Sequence, residues 1–312
     1  MQSILSDTEI KLLEALVQNS RNTPAVLGQS LGKSRNWISR KIRTLVKNGI
    51  IRSYTTIVNP NYVKGARDTI LFMKSNPREL DVSKKVLQME ELESLDGIAG
   101  EFSLIGFFRF DRKGAFESLL DRVDSVVASS GSGKYSLVQI LTTYKKNRFK
   151  IFPNQSDESH LTSKEIELLR IIHRQKPTPE KPFPLTQEAI GKSMNPPMRQ
   201  PAVSKAIVKL RVKKAIIGYS IDIDFGCIGL PIKFFVTMKV LPGTASETAQ
   251  KLADMEEVWD LYRTSEDYSL FATIRTESIE SFNRFLRKLY ENDSVLDTKS
   301  YISLEEWFVS SH

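Results

Sequence analysis

The sequence predicts an α+β chain: two winged helix-turn-helix domains, each followed by a ferredoxin-like βαββαβ domain. The first observation behind this is self-similarity. Leu5-Ser-Asp-Thr-Glu-Ile-Lys-Leu-Leu-Glu-Ala-Leu16 aligns with Leu161-Thr-Ser-Lys-Glu-Ile-Glu-Leu-Leu-Arg-Ile-Ile172, and Ile38-Ser-Arg-Lys-Ile-Arg-Thr-Leu45 aligns with Val203-Ser-Lys-Ala-Ile-Val-Lys-Leu210. Insertions in the second copy account for the change of offset between the two matches, so a duplicated unit explains the pattern better than a short repeat. The second observation is three successive helix signals ending in an alternating strand. The third is a strand-helix-strand-strand-helix-strand order after each of those.

In each copy the first helix opens on a capping box, Ser6 with Glu9 and Thr162 with Glu165. Apolar residues follow at helical spacing: Ile10, Leu13, Leu16 and Val17, then Ile166, Leu169 and Ile172. Thr23-Pro24 is an N-cap and first-turn pair for a short helix ending at Leu31. Gly32-Lys33-Ser34 makes a tight turn, and Ser34 caps a third helix from Arg35 to Lys47. Gly49 ends it, and Ile50–Val58 alternates as a strand. In the second copy Pro177–Pro184 lengthens the first loop and Asn195–Pro201 replaces the tight turn.

Strands are expected at Asp68–Ser75, Gly97–Phe102, Ser103–Phe110 and Tyr135–Tyr144, with helices at Val82–Leu95 and Lys113–Ser129. The second copy repeats them at Ile232–Leu241, Val258–Thr264, Ser269–Arg275 and Leu296–Leu304, with helices at Ala245–Met255 and Ile279–Tyr290. The domain plan is therefore 1–60 and 66–148, a polar linker at 149–160, then 161–224 and 230–312. Each sheet has apolar residues on both faces, Ile105, Phe107, Phe108 and Phe110 in one copy and Phe234, Phe235, Leu270 and Phe271 in the other. Helices cover only one face, so the other is expected to pair within the chain as a pseudo-dimer, with homo-oligomers built from that.

Charge points to the partner. The chain carries +8, with about +9 in residues 1–155 and about −1 in the rest. Between Glu14 and Asp68 there is no acidic residue, against ten basic ones: Arg21, Lys33, Arg35, Arg40, Lys41, Arg43, Lys47, Arg52, Lys64 and Arg67. A one-signed stretch on a folded segment is the footprint of a polyphosphate, here double-stranded DNA. On the third helix Ile38, Ile42, Leu45 and Val46 form the buried stripe. Arg35, Asn36, Ser39 and Arg40 are then the base-reading candidates, because arginine and asparagine bond guanine and adenine edges bidentately. Arg43, Lys47 and Arg52 are assigned to phosphates, and Trp37 to the core. The second copy offers Arg199, Gln200, Ser204, Lys205 and Lys209, with no acidic residue from Gly191 to Ile221.

Other classes fit poorly. No apolar run approaches the roughly 18 residues of a membrane span, the first residues lack the pattern of a signal peptide, and the lone Cys227 suits a reducing compartment. A cytoplasmic protein is expected. Ser130–Tyr135 resembles a phosphate loop but has Ala128 at the first glycine position and joins a helix to a strand, the reverse of that context. His160, His173 and His312 have no metal-ligand spacing, so neither a metal nor a cofactor is expected.

These residues resemble the Lrp/AsnC (feast/famine) regulators. The likeness runs through Leu5–Leu13, Ser34, Lys47-Asn-Gly-Ile-Ile-Arg-Ser-Tyr54 and Asn59-Pro60. It implies a DNA-binding winged helix plus a RAM-type α/β domain that oligomerises and senses small molecules. The family's Gly-x-Tyr-Asp turn corresponds to Gly100-Glu101-Phe102-Ser103 and Glu266-Asp267-Tyr268-Ser269, which makes Gly100, Phe102, Ser103, Tyr268 and Ser269 effector-site candidates. Serine replaces the aspartate in both, removing the charge that an amino group would seek. The reading is a transcription regulator and not an enzyme. Its alternatives are a sirohaem-decarboxylase-like enzyme of the same fold, or a sensor or scaffold that does not bind DNA. No histidine falls in any expected strand or helix of either α/β domain, which deprives the enzyme reading of the commonest general acid.

Overall fold

The computed structural model describes residues 5–62, 67–75, 81–110, 115–128, 134–151 and 161–308. In chain order the first elements are α1 (Asp7–Gln18), α2 (Pro24–Leu31), α3 (Arg35–Lys47), β1 (Ile51–Val58), β2 (Arg67–Lys74) and α4 (Asp81–Leu87). Next come β3 (Leu92–Ala99), β4 (Leu104–Phe110), α5 (Ala115–Ala128), β5 (Lys134–Lys146), β6 (Phe149–Lys150), α6 (Ser163–His173), β7 (Arg174–Gln175) and α7 (Gln187–Ser193). The chain ends with α8 (Gln200–Val212), β8 (Ile216–Ile223), β9 (Ile232–Val240), α9 (Ala245–Ala253), β10 (Val258–Thr264), β11 (Leu270–Thr276), α10 (Ile279–Tyr290) and β12 (Val295–Phe308). These fall into two compact units, Met1–Tyr62 with Asn154–Pro231, and Val63–Pro153 with Ile232–His312. Each unit combines a segment from the first half of the chain with one from the second.

The first unit holds α1, α2, α3 and β1 together with α6, β7, α7, α8 and β8. Local chemistry starts its helices: Glu9 accepts from the Ser6 N–H at 2.9 Å, Glu165 from the Thr162 N–H at 2.8 Å, and Ser34 from the Trp37 N–H at 3.2 Å. Gly32 at φ 62° lets the chain leave α2 in the left-handed region. What the sequence does not announce is that the wing strands pair with each other. The three-stranded sheet has the order β7-β1-β8, and β1 runs antiparallel to β8 from Ile51↔Ile223 to Val58↔Ile216. An isolated wing would leave a row of backbone groups at an open edge, and this pairing satisfies them. Side chains reinforce it: Thr56 donates to the Ile172 carbonyl at 2.7 Å and Ser220 to the Val17 carbonyl at 2.8 Å. The proline-rich insertion is anchored too, since the buried Tyr54 hydroxyl donates to the Pro182 carbonyl at 2.7 Å.

The second unit is a closed sheet. Its strand order is β10-β11-β9-β12-β3-β4-β2-β5-β6, and a further β10–β5 pairing closes the ring, with β6 attached outside it. Alternation along the strands divides two environments. Leu71, Met73, Leu104 and Phe108 face α4 and α5, and Val236, Met238, Leu270 and Ala272 face α9 and α10. The opposite faces meet in one interior, where Ile70, Phe72, Ile105, Phe107, Phe235, Tyr262, Phe271 and Tyr301 pack together. Phe107 is 5.7 Å from Phe271 and 5.9 Å from Phe235, ring centroid to ring centroid. Edge strands are hydrogen-bonded at both seams, β12 to β3 and β10 to β5, so the apolar faces are joined by backbone as well as side chains. Phe110 lies outside the described side chains.

Several expected boundaries differ, and β12 runs to Phe308 instead of Leu304. The helix expected over Val82–Leu95 stops at Leu87, and β3 begins at Leu92 instead of Gly97 and ends at Ala99. Leu92 and Leu95 mimic helical spacing, yet both are buried on the helix-facing side of the sheet, because a register shift between Leu92 and Ser94 restores the face. The linker expected at 149–160 is partly structure: Phe149 and Lys150 pair with β5, and Ile151 is buried. Residues 152–160, which include His160, lie outside the described residues, as do Lys64, His312 and positions 130–133 of the loop weighed for phosphate. No described helix is long and apolar enough to cross a membrane, and no described group of His, Cys, Asp and Glu could hold a metal ion.

Candidate nucleic-acid interface

Helix α3 packs against α2 and β1 and buries Ile38, Ile42, Leu45 and Val46. This stripe turns Arg35, Asn36, Arg40, Arg43 and Lys47 outward, all exposed, with Ser39 half-buried. No described carboxylate pairs with Arg35, Arg40, Arg43 or Lys47. The surface is open, one-signed, and carried on a capped helix.

Other members of the basic stretch have different work. Arg21 donates to the Leu185 carbonyl at 3.0 Å and lies over the Tyr219 ring at 5.4 Å, tying the segment after α1 to β8 and to the segment before α7. Lys41 is 2.9 Å from Glu9, so α3 is bonded to the capping box of α1. Burial would raise the Glu9 carboxyl, but the Ser6 N–H, Lys41 and the Ser6 hydroxyl outweigh it and hold it at about 2. Trp37, assigned above to the core, is half-buried, with the Lys33 and Lys41 ammonium groups each 5.7 Å from its ring. Arg52 is partly buried on β1. The side chain of Arg67 lies outside the described residues.

Helix α8 presents a more occupied face. Arg199 at its N-cap, Gln200 and Lys205 are exposed, and Ser204 is half-buried. The Gln200 amide donates to Gln187 at 2.9 Å, and Lys209 lies 2.9 Å from the buried Glu165, doing for α6 what Lys41 does for α1. Burial would raise the Glu165 carboxyl, but the Thr162 N–H and Lys209 pull it below the ordinary range.

The turns between these helices rest on glycines that sequence reasoning passed over. A Cβ at Gly28 would lie 2.5 Å from the Lys33 carbonyl, and one at Gly191 would lie 2.1 Å from the Met198 carbonyl. Both turns return to that glycine by a backbone hydrogen bond, Lys33 N–H to Gly28 and Met198 N–H to Gly191, each at 2.9 Å. The enlarged second turn therefore docks as the short one does. The available signal was a glycine in the second helix of both copies.

The effector candidates do not form matching sites. Gly100 has φ 139° in the β3–β4 turn, and Phe102 is buried in the barrel interior, 5.4 Å from Phe72. The Ser103 hydroxyl accepts from the Ser75 N–H at 2.8 Å and donates to the Met73 carbonyl at 3.3 Å, so it closes the turn itself. In the second half the Tyr268 hydroxyl donates to Asp297 at 2.5 Å beneath Lys299, and Ser269 is half-buried.

Comparison with known proteins adds the following. Residues 5–52 match a family model described as winged helix-turn-helix DNA-binding, and residues 233–311 match the Lrp/AsnC ligand binding domain. The HTH-type transcriptional regulator FL11 of Pyrococcus horikoshii is 31% identical over 108 residues, covering 35% of this chain and 72% of that protein. The HTH-type transcriptional regulator LrpA of Mycobacterium tuberculosis is 27% identical over 125 residues, covering 39% of this chain and 83% of that one. Among solved structures, the siroheme decarboxylase NirDL superposes with a TM-score of 0.60 at 15% identity, covering 96% of this chain and 92% of that one. At that identity the likeness is one of fold.

Proposed function

We propose, from the premise that this chain belongs to the Lrp/AsnC family, that it is a sequence-specific DNA-binding transcription regulator made of two of that family's units in tandem. One observation carries the reading: α3 exposes Arg35, Asn36, Arg40, Arg43 and Lys47 together, with no described carboxylate partner for these four cations. In the duplex, Arg35, Asn36, Ser39 and Arg40 read base edges, and Arg43 and Lys47 neutralise phosphates, with Arg52 behind them on β1. The second helix contributes Arg199, Ser204 and Lys205, while Gln200 and Lys209 act only by leaving the partners they now hold. Because β1 and β8 are hydrogen-bonded, the two reading heads move as one block. A single chain then favours an operator with unequal half-sites. The barrel serves assembly first, and Ser103 and Ser269 make it a poor site for free amino acids.

The experiment is selection of bound fragments from random DNA by the purified chain. A recovered motif with unlike halves supports the proposal. A palindrome defeats the unequal-half-site reading, and recovery of no motif at physiological salt defeats the regulator, leaving a sensor or scaffold. A second reading, a tetrapyrrole-decarboxylating enzyme, is favoured by the full-length likeness to NirDL. It finds no histidine on any described strand or helix of the α/β halves, and a tetrapyrrole absorbance change on mixing would support it over the regulator.

A further inference from the structure

The barrel interior carries charges at one end that DNA reading does not use. Lys233 on β9 is 9% exposed, and its ammonium lies 2.8 and 3.0 Å from the two carboxylate oxygens of Asp96, which is 1% exposed. Glu306 on β12 is 3.2 Å from Lys233 and also takes two bonds from Arg275 of β11, at 2.5 and 3.1 Å. The Ser303 hydroxyl donates to Asp96 at 2.8 Å. Asp96 comes from β3 in the first α/β half, and all the others come from the second. The ion pair crosses the β12–β3 seam.

Strand register identifies the counterparts at the other seam. Asp68 pairs with Arg109 as Lys233 pairs with Arg275. Thr143 pairs with Tyr262 across β5–β10 as Glu306 pairs with Asp96 across β12–β3. A register shift precedes each of these two pairs, at the exposed Leu141 and Leu304. Asp68 therefore stands where Lys233 stands, and Tyr262 where Asp96 stands. At this seam Asp68 at 3.0 Å and Glu93 at 2.7 Å hold Arg109, and Lys146 of β5, 3.9 Å from Glu93, donates across to the Tyr262 hydroxyl at 2.9 Å.

These positions treat like and unlike pairing differently. If the first α/β half paired with a second copy of itself, Asp96 would join Asp68 and Glu93, three carboxylates against Arg109 and Lys146. If the second half paired with itself, Lys233 would meet Tyr262 and lose its deepest carboxylate. Only the unlike pair balances the buried charge, and an unbalanced one is strongly disfavoured. We propose that Asp96 and Lys233 are a heterotypic key that makes each α/β half pair with the other half and reject a second copy of itself. This rests on reading the chain as two copies of one unit, and it adds a determinant of partner choice to that reading.

The test uses full-length chains, half of them 15N-labelled, unfolded and refolded as a mixture and then cross-linked. In the wild type, peptides joining β3 to β12 should carry one label only. The exchange variant Asp96→Tyr with Tyr262→Asp should instead yield mixed-label links from β3 to β5 and from β12 to β10, the products of like pairing. Single-label β3–β12 links at the wild-type unfolding midpoint in that variant would overturn the key, as would β3–β5 mixed-label links in the wild type. Mixed-label β3–β12 links in the wild type would support the key while refuting pairing within one chain. Should the exchange variant fail to fold, charge reversal decides. Lys233→Asp and Asp96→Lys should each lower the folding equilibrium constant about 100-fold, and the double reversal should recover about tenfold or more of that. A double variant no more stable than the weaker single one would also overturn it.

Discussion

Glu306→Gln removes one charge from the interior cluster and keeps the side chain's size, while one of the two oxygens that accept from Arg275 and Lys233 becomes an N–H donor. Burial would raise the Glu306 carboxyl, but Lys233 and Arg275 override it and bring it to about 2. A carboxyl moved from 4.5 to about 2 stabilises the fold by about 3 kcal/mol at neutral pH. The side chain is 27% exposed, and solvent screening lowers that to about 2 kcal/mol. The folded value is depressed, so the contribution is complete above pH 4.5 and fades as pH falls toward 2. Urea unfolding at pH 7 should therefore place the variant about 2 kcal/mol below the wild type. At pH 3 the gap should have shrunk by about half or more. Other carboxylates titrate in both proteins, so the difference between them is the quantity to follow. An equal gap at pH 7 and pH 3 would refute the electrostatic argument and assign the loss to packing alone.

Arg40→Ala should cost about 1–3 kcal/mol on the selected DNA site and relax preference at one base position, measured by competition binding; unchanged affinity and preference would remove Arg40 from the reading surface. Binding should weaken steeply with salt, each phosphate neutralised adding about −0.9 to the log–log slope, and a flat titration would defeat the charge argument. The buried Lys145 donates to the Met255 carbonyl at 2.8 Å, and burial first, then Arg148 and Lys150, bring it down to about 8. The folded state holds that proton less tightly than the unfolded chain, so stability should rise from about pH 8 to 10.5, and Lys145→Met should abolish the rise in urea midpoints. A thermal-shift screen of the common amino acids should give no saturable shift, since ligand binding to the native state would raise its apparent stability; a clear shift with any of them would restore amino-acid sensing.

The helices and their caps were legible in the sequence, because their causes lie within one turn of chain. Ser6 with Glu9, Thr162 with Glu165 and Ser34 ahead of Trp37 are contacts between residues three apart. The outward face of α3 followed from the same local periodicity, since Ile38, Ile42 and Leu45 leave Arg35, Asn36 and Arg40 on the other side. Strand parity was also legible where one face of the sheet met helices, as for Leu71 and Met73 on β2. It misled at Leu92 and Leu95, where a bulge imitates a helical interval. Only the tertiary structure decided which strands meet. The β1–β8 pairing and the two seams of the barrel join segments far apart in the chain, and nothing local in either strand names its partner. The same holds for Asp96 and Lys233, 137 positions apart. Read along its own strand, each is a charged residue that belongs in water. Only when β12 lies between β3 and β9 do the two carry each other into the interior, because a buried charge is stable where its counter-charge is already fixed beside it.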